Sequence, residues 1–182
     1  VQAKECGKIK KLYVMGCLSQ RYADDLRAEI PEVDSYFGAR GFDEILHELQ
    51  IEKKAELNQE RIITTPSHLA YLKLAEGCNR TCAYCAIPTI RGKYTSETLE
   101  NLTKEASFLV SQGVKELSLI AQDLSFFGYD LYKRNVLAEF LEKTQPIEGL
   151  EWIRLHYLYP NNFPLEVLDS INNLSKVCHY ID

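Results

Sequence analysis

The sequence predicts an α/β protein with parallel sheets, and three observations carry that prediction. Short β-prone runs alternate with amphipathic helical stretches along most of the chain. One run, Val114 to Ala121, is apolar almost throughout, as strands covered on both faces are. Successive strand candidates in the second part of the chain stand roughly 25–45 residues apart, the repeat of a (βα)n barrel or an open doubly wound sheet.

Each element has a local reason. Lys11 to Met15 is a short strand, followed by Gly16-Cys17 and an N-cap candidate at Ser19. Tyr22, Leu26 and Ile30 then recur at helical spacing until Pro31 stops the helix. Val33 to Phe37 is a second strand, Gly38 and Gly41 make a turn, and Phe42, Ile45, Leu46 and Leu49 mark an amphipathic helix. So short a segment makes a small core, so it reads as the C-terminal half of a small parallel α/β domain. Residues 51–68 are polar, and Thr64-Thr65-Pro66-Ser67 reads as a loop. Leu69 to Ala75 is the next strand. Leu99, Leu102, Ala106, Leu109 and Val110 form a helical stripe, with Ser96 as candidate N-cap and Gly113 at the stop. After the apolar strand, Val136, Leu137, Phe140 and Leu141 suggest a helix and Trp152 to Leu158 a strand. Pro164 opens a helix through Val167, Leu168 and Ile171, and Val177 to Ile181 begins one more strand.

Composition narrows the class. With 182 residues, 46% hydrophobic and 26% charged, the chain is an ordinary globular protein rather than a disordered or fibrous one. No apolar run approaches the ~20 residues of a membrane span, and no signal peptide stands at the front, so a cytoplasmic protein without membrane contact is expected. The chain opens at Val1-Gln2 and stops at Asp182 inside an expected strand, as a piece of a longer protein would. Net charge −5 counts against nucleic acid as the main contact of this segment.

Six cysteines in such a chain are better read as ligands or buried thiols than as disulfides. Cys78, Cys82 and Cys85 form a C-x3-C-x2-C pattern just past the first strand of the second block, at the sheet end where α/β folds bind ligands. Three thiolates on one short loop suit a cubane iron–sulfur cluster, leaving one iron open for a substrate's amino and carboxylate groups. Zinc is the competing metal, but it needs a fourth ligand, and His68, His156 and His179 stand in no paired ligand spacing. A buried helical cysteine stripe is opposed by Gly77 before the motif and Pro88 after it. Cys178 reads as core, and Cys6 as a solvent-side or packed thiol.

The motif resembles the signature of the radical S-adenosylmethionine (SAM) enzymes, and the resemblance extends along essentially the whole chain. Gly16-Cys17-Leu18-Ser19-Gln20-Arg21-Tyr22 resembles the segment carrying the third cluster cysteine in the N-terminal domain of methylthiotransferases. Glu76 to Pro88, then Arg91-Gly92-Lys93-Tyr94, looks like the radical-SAM loop of the same family. Ile120-Ala121-Gln122-Asp123, Phe126 to Tyr132 and Trp152 to Pro160 are similar to the members that methylthiolate an aspartate of a small-subunit ribosomal protein. The tRNA-modifying members usually carry Gly-Gln-Asn where this chain has Ala121-Gln122-Asp123.

The resemblance implies a partial (βα)6 TIM-like barrel, of which this chain holds the first half. The implied organisation is residues 1–52 as the end of the N-terminal domain, 53–67 as linker and 68–182 as the start of the barrel. It implies a 4Fe-4S cluster on Cys78, Cys82 and Cys85 that binds SAM, whose one-electron cleavage gives a hydrogen-abstracting 5′-deoxyadenosyl radical. A second 4Fe-4S cluster of the full-length protein would take Cys17 as its one ligand in this chain. The implied partners are the ribosomal protein, an electron donor and a sulfur donor; the rivals are tRNA modification and a non-catalytic, metal-stabilised binding module. Gln122 and Asp123 either contact the amino group of SAM or simply end a strand. Arg154 either faces the barrel lumen or neutralises a carboxylate, with His156 beside it. Tyr84 either covers the cluster or adenine or packs, Arg91 and Lys93 read as a solvated charge pair, and Phe126, Phe127, Tyr129 and Tyr132 either dock substrate or fill a loop. Half a barrel exposes a strand edge, so this piece alone is expected to be poorly stable and inactive in modification.

Overall fold

A computed structural model describes residues 1–52 and 61–182; the first part of the expected linker, residues 53–60, lies outside the described residues. The chain divides into two compact units, Val1–Ala55 with Asn79–Gly92, and Glu56–Cys78 with Lys93–Asp182.

In the first unit the short helix α1 (Gln2–Glu5) precedes strand β1 (Tyr13–Met15), helices α2 (Cys17–Arg21) and α3 (Ala23–Glu29), strand β2 (Ser35–Phe37) and helix α4 (Phe42–Glu48). The two strands pair in parallel, Tyr13 opposite Ser35 and Met15 opposite Phe37. Phe37 is buried and meets Tyr13 edge-to-face at 5.8 Å. Lys4 and Lys11 converge on Asp34, whose carboxylate also accepts the Leu12 N–H at 2.8 Å. Two expectations are corrected here. The helical stretch is broken at Tyr22, which ends α2 and begins α3. Ser19 is no cap: it sits inside α2, buried, with its hydroxyl donating to the Phe37 carbonyl at 2.6 Å. The residue that opens α2 is Gly16, at φ 140°, where a side chain would be strained.

The second unit is built on strands β3 (Leu69–Lys73), β6 (Glu116–Ile120) and β7 (Trp152–Leu155), parallel and in that spatial order. Alternation places Leu72, Leu117, Leu119, Ile153 and Leu155 in the core, all essentially inaccessible. There they join Leu102, Ala106 and Leu109 of helix α6 (Leu99–Ser111), Phe140 and Leu141 of α8 (Leu137–Thr144) and Val167 and Ile171 of α9 (Glu166–Asn173). Burying each large side chain contributes about 1.5–3 kcal/mol, so this layer holds the unit together. Glu116, Ser118 and Arg154 point to the opposite side of the sheet, with Ser118 in register with Arg154.

A two-stranded antiparallel ribbon, β4 (Ala75–Glu76) with β5 (Thr95–Ser96), branches from the end of β3. The expected single strand Leu69 to Ala75 is therefore two strands, separated at Leu74, whose N–H still bonds the Ile120 carbonyl at 2.9 Å. Ser96 does not cap α6. It lies on β5, and Thr98 caps the helix by accepting the Asn101 N–H at 3.2 Å. The expected strand from Val177 is a single parallel bridge, Val177 to Ile153. The α/β class with parallel sheets, and the three βα units with the start of a fourth, match the reading of the sequence.

Candidate metal and cofactor site

In the second unit, three chain segments meet at the C-terminal ends of the parallel strands. The first carries Cys78. It follows β4 and Gly77, whose N–H donates to the Glu76 carboxylate at 3.3 Å, and its thiol is buried. The second carries Gln122 and Asp123, immediately after β6. The Gln122 Oε1 atom is buried and has no hydrogen-bond partner, a costly state for an amide oxygen unless a ligand supplies a donor. Asp123 is 2% exposed, and its carbonyl accepts the Tyr94 hydroxyl at 2.9 Å.

Tyr94, on the third segment just before β5, is itself buried and packs edge-to-face on Phe126 at 5.1 Å. Burial, with Asp123, Asp130 and Cys78 nearby, pushes its phenol far above the ordinary tyrosine range, so it stays a hydrogen-bond donor. Next to it Ser96 donates its hydroxyl to Asp130 at 2.5 Å, while its own N–H bonds the other carboxylate oxygen at 2.8 Å. The Ser96 hydroxyl also accepts the Gly128 N–H at 3.0 Å. Tyr94 and Ser96 thus tie the β5 segment to the loop that follows β6.

Arg154 lies on the sheet face opposite the helices and bonds Glu116 through Nε at 2.8 Å, which raises the guanidinium pKa further. Of the two readings for Arg154, neutralisation of a carboxylate is the one with a visible partner. His156 stands 3.7 Å from Asp182. Cys178 is buried as expected, and burial pushes its thiol up.

In the first unit, Cys82 and Cys85 are joined by a turn in which the Cys85 N–H donates to the Cys82 carbonyl at 3.0 Å. Both thiols are partly accessible. Tyr84 between them is 94% exposed, so the packing alternative for this side chain falls away. Helix α5 (Ile87–Arg91), opened by Pro88 in its first turn, follows the motif and packs against α2. The first residue of α2 is Cys17, with an exposed thiol; Cys6 is exposed as well.

All six cysteines are free thiols. Among the described residues, no three His, Cys, Asp or Glu side chains stand disposed as a metal-holding group. The donor chemistry nonetheless fits an iron–sulfur cluster, since soft thiolates are the ligands such clusters take, and the orphaned Gln122 oxygen could accept a hydrogen bond from an ammonium group. Of the aromatic run, Phe127 is fully buried and Phe126 packs between Tyr94 and Tyr129, so loop filling accounts for these two. Tyr129 and Tyr132 remain more than a third exposed. Reading the sequence had missed the partner roles of Glu116 and Tyr94. The two-residue periodicity of β6 and β7 was the signal for Glu116, whereas nothing local announced Tyr94.

Comparison with known proteins identifies the family. The family model described as Radical SAM superfamily matches residues 72–180. The protein from Cytophaga hutchinsonii named ribosomal protein uS12 methylthiotransferase RimO is 50% identical over 100% of this chain and 42% of its own length. The protein of that name from Flavobacterium johnsoniae is 52% identical over 98% of this chain and 41% of its own. The chain therefore spans about two fifths of the length of these curated relatives. Among solved structures, the radical SAM methyltransferase TsrM from Kitasatospora setae, with cobalamin and a [4Fe-4S] cluster bound, aligns with 60% of this chain and 21% of its own at TM-score 0.48 and 19% identity. With the family match running from the end of β3 through β6 and β7 and including the whole C-x3-C-x2-C motif, the chain belongs to the radical SAM superfamily.

Proposed function

We propose that this chain is part of a radical-SAM methylthiotransferase that adds a methylthio group to the β-carbon of an aspartate in a small-subunit ribosomal protein. The observation that carries the substrate assignment is the roughly 50% identity, over the whole chain, to proteins named for that activity. Supporting it are the Ala121-Gln122-Asp123 run at the end of β6 and the net charge of −5, which suits a protein better than tRNA. Residues 1–52 are the end of the N-terminal domain, 53–67 the linker and 68–182 the start of the barrel.

In this reading Cys78, Cys82 and Cys85 hold the cluster that binds SAM, and Cys17 is one ligand of a second cluster. When bound, cluster and SAM supply a one-electron route to a radical able to remove hydrogen from an unactivated carbon. Gln122 offers its buried Oε1 to the ammonium of SAM, and Asp123 shapes the strand end beside it. The Arg154–Glu116 pair keeps a fixed charge arrangement on the open face of the sheet. Tyr84, with its ring in solvent, is available to cover adenine. The enzyme works in the cytoplasm with an electron donor and a sulfur donor; no described helix is long and apolar enough to cross a membrane.

The test is mass spectrometry of the ribosomal protein and of tRNA from a strain lacking the gene. Loss of the aspartate modification with tRNA unchanged supports the reading. Loss of a tRNA methylthio group instead transfers the enzyme to the tRNA-modifying branch.

A further inference from the structure

Tyr94 is a buried side chain that reaches from the ribbon beside Cys78 to the strand end at Gln122 and Asp123. Its ring is 4% exposed and locked on Phe126, and its hydroxyl donates to the Asp123 carbonyl at 2.9 Å. The backbone it enters, β5, pairs with β4, and β4 leads within two residues to Cys78. We propose that Tyr94 is a positioning residue for SAM. It fixes how far the Gln122–Asp123 strand end stands from the cysteine end of β4, and so how well one SAM molecule meets both. This deepens the function proposed above and rests on its assignment of Cys78 to the cluster and Gln122 to SAM.

The chemistry supports a positioning role rather than a catalytic one. Tyr94 spends its only O–H on a backbone carbonyl, and its phenol is held protonated by its surroundings. Its effect must pass through Asp123 and its neighbour Gln122. The flanking clamp is separate: the hydrogen bonds of Ser96 go to Asp130 and Gly128, farther along the same loop. The two attachments can therefore be tested apart.

The experiment uses the full-length protein, reconstituted anaerobically with iron and sulfide, as wild type, Tyr94→Phe and Ser96→Ala. Iron content reports cluster assembly. The SAM concentration needed to change the EPR signal of the reduced cluster, and the KM and kcat for 5′-deoxyadenosine release, report positioning. Tyr94→Phe is expected to keep its iron and kcat while SAM half-saturation rises about two- to tenfold, the worth of one neutral hydrogen bond. Ser96→Ala is expected to leave half-saturation unchanged. Equal half-saturation in Tyr94→Phe and wild type overturns the proposal. An equal rise in Ser96→Ala also overturns it, since the effect is then general loosening of the ribbon. A wild-type cluster indifferent to SAM removes the underlying reading, and the proposal with it.

Discussion

Replacing Gly128 by alanine should destabilise the second unit by an amount the structure sets. Gly128 begins helix α7 (Tyr129–Tyr132) with φ 91°, a region an alanine enters at a cost of roughly 1–2 kcal/mol. A Cβ there would overlap Val136 Cγ2 and lie 3.1 Å from the Arg134 carbonyl oxygen and 3.3 Å from Val136 Cβ. Val136 is 1% exposed and belongs to the core, so it has no empty space to turn into. Such overpacking adds about 1–3 kcal/mol, giving a total of about 2–5 kcal/mol. The Gly128 N–H bond to Ser96 would be strained by the same shift. Urea denaturation followed by circular dichroism measures the effect as a lower midpoint at unchanged slope. A change below about 0.5 kcal/mol, the level of an inert surface substitution, would mean that the chain does not take this tight turn against Val136.

Other substitutions probe the site and the scaffold. Serine at Cys78, Cys82 or Cys85 should each abolish the SAM-responsive EPR signal, whereas Cys17→Ser should leave that signal and remove iron from the second cluster; iron counts and spectra of the full-length variants check both. Burial raises the Glu105 pKa despite Arg61 at 3.4 Å, so the folded state holds a proton that the unfolded chain gives up at lower pH. A raised carboxyl costs stability as pH climbs above the unfolded value of about 4.3. Glu105→Gln should accordingly raise the melting temperature at pH 7 by about 1–3 °C and leave it unchanged near pH 3, and melts at the two pH values test the sign. Thr98→Ala removes the cap of α6 and should cost about 1 kcal/mol in the same urea titration.

How much of this was legible beforehand depended on whether the cause was local. The core of the second unit was readable because its periodicities are: Leu117 and Leu119 lie in an apolar run, and Leu102, Ala106 and Leu109 recur on one helix face. The Cys78–Cys85 spacing was readable for the same reason, being a short-range pattern of one residue type. Caps were ambiguous where two hydroxyl residues compete, as Ser96 and Thr98 do; a strand pair of two residues each took Ser96 away. Ser19 was claimed by a carbonyl eighteen positions distant. Tyr94 with Asp123, Ser96 with Asp130 and Arg154 with Glu116 are separated by about thirty residues or more, and only the folded sheet brings them together.

The strand order β3-β6-β7 has a consequence for how the protein comes into being. Spatial order equals chain order in this sheet, and the Val177 bridge continues the series beside β7. Each strand therefore pairs with one already made, and no strand must wait for a later one to be inserted between neighbours. During synthesis at about 5–20 residues per second, every completed strand–helix repeat has a finished edge to land on within a few seconds. The sheet then grows at one edge only, the β7 side, and the strand–helix repeat next to leave the ribosome is the one that pairs there.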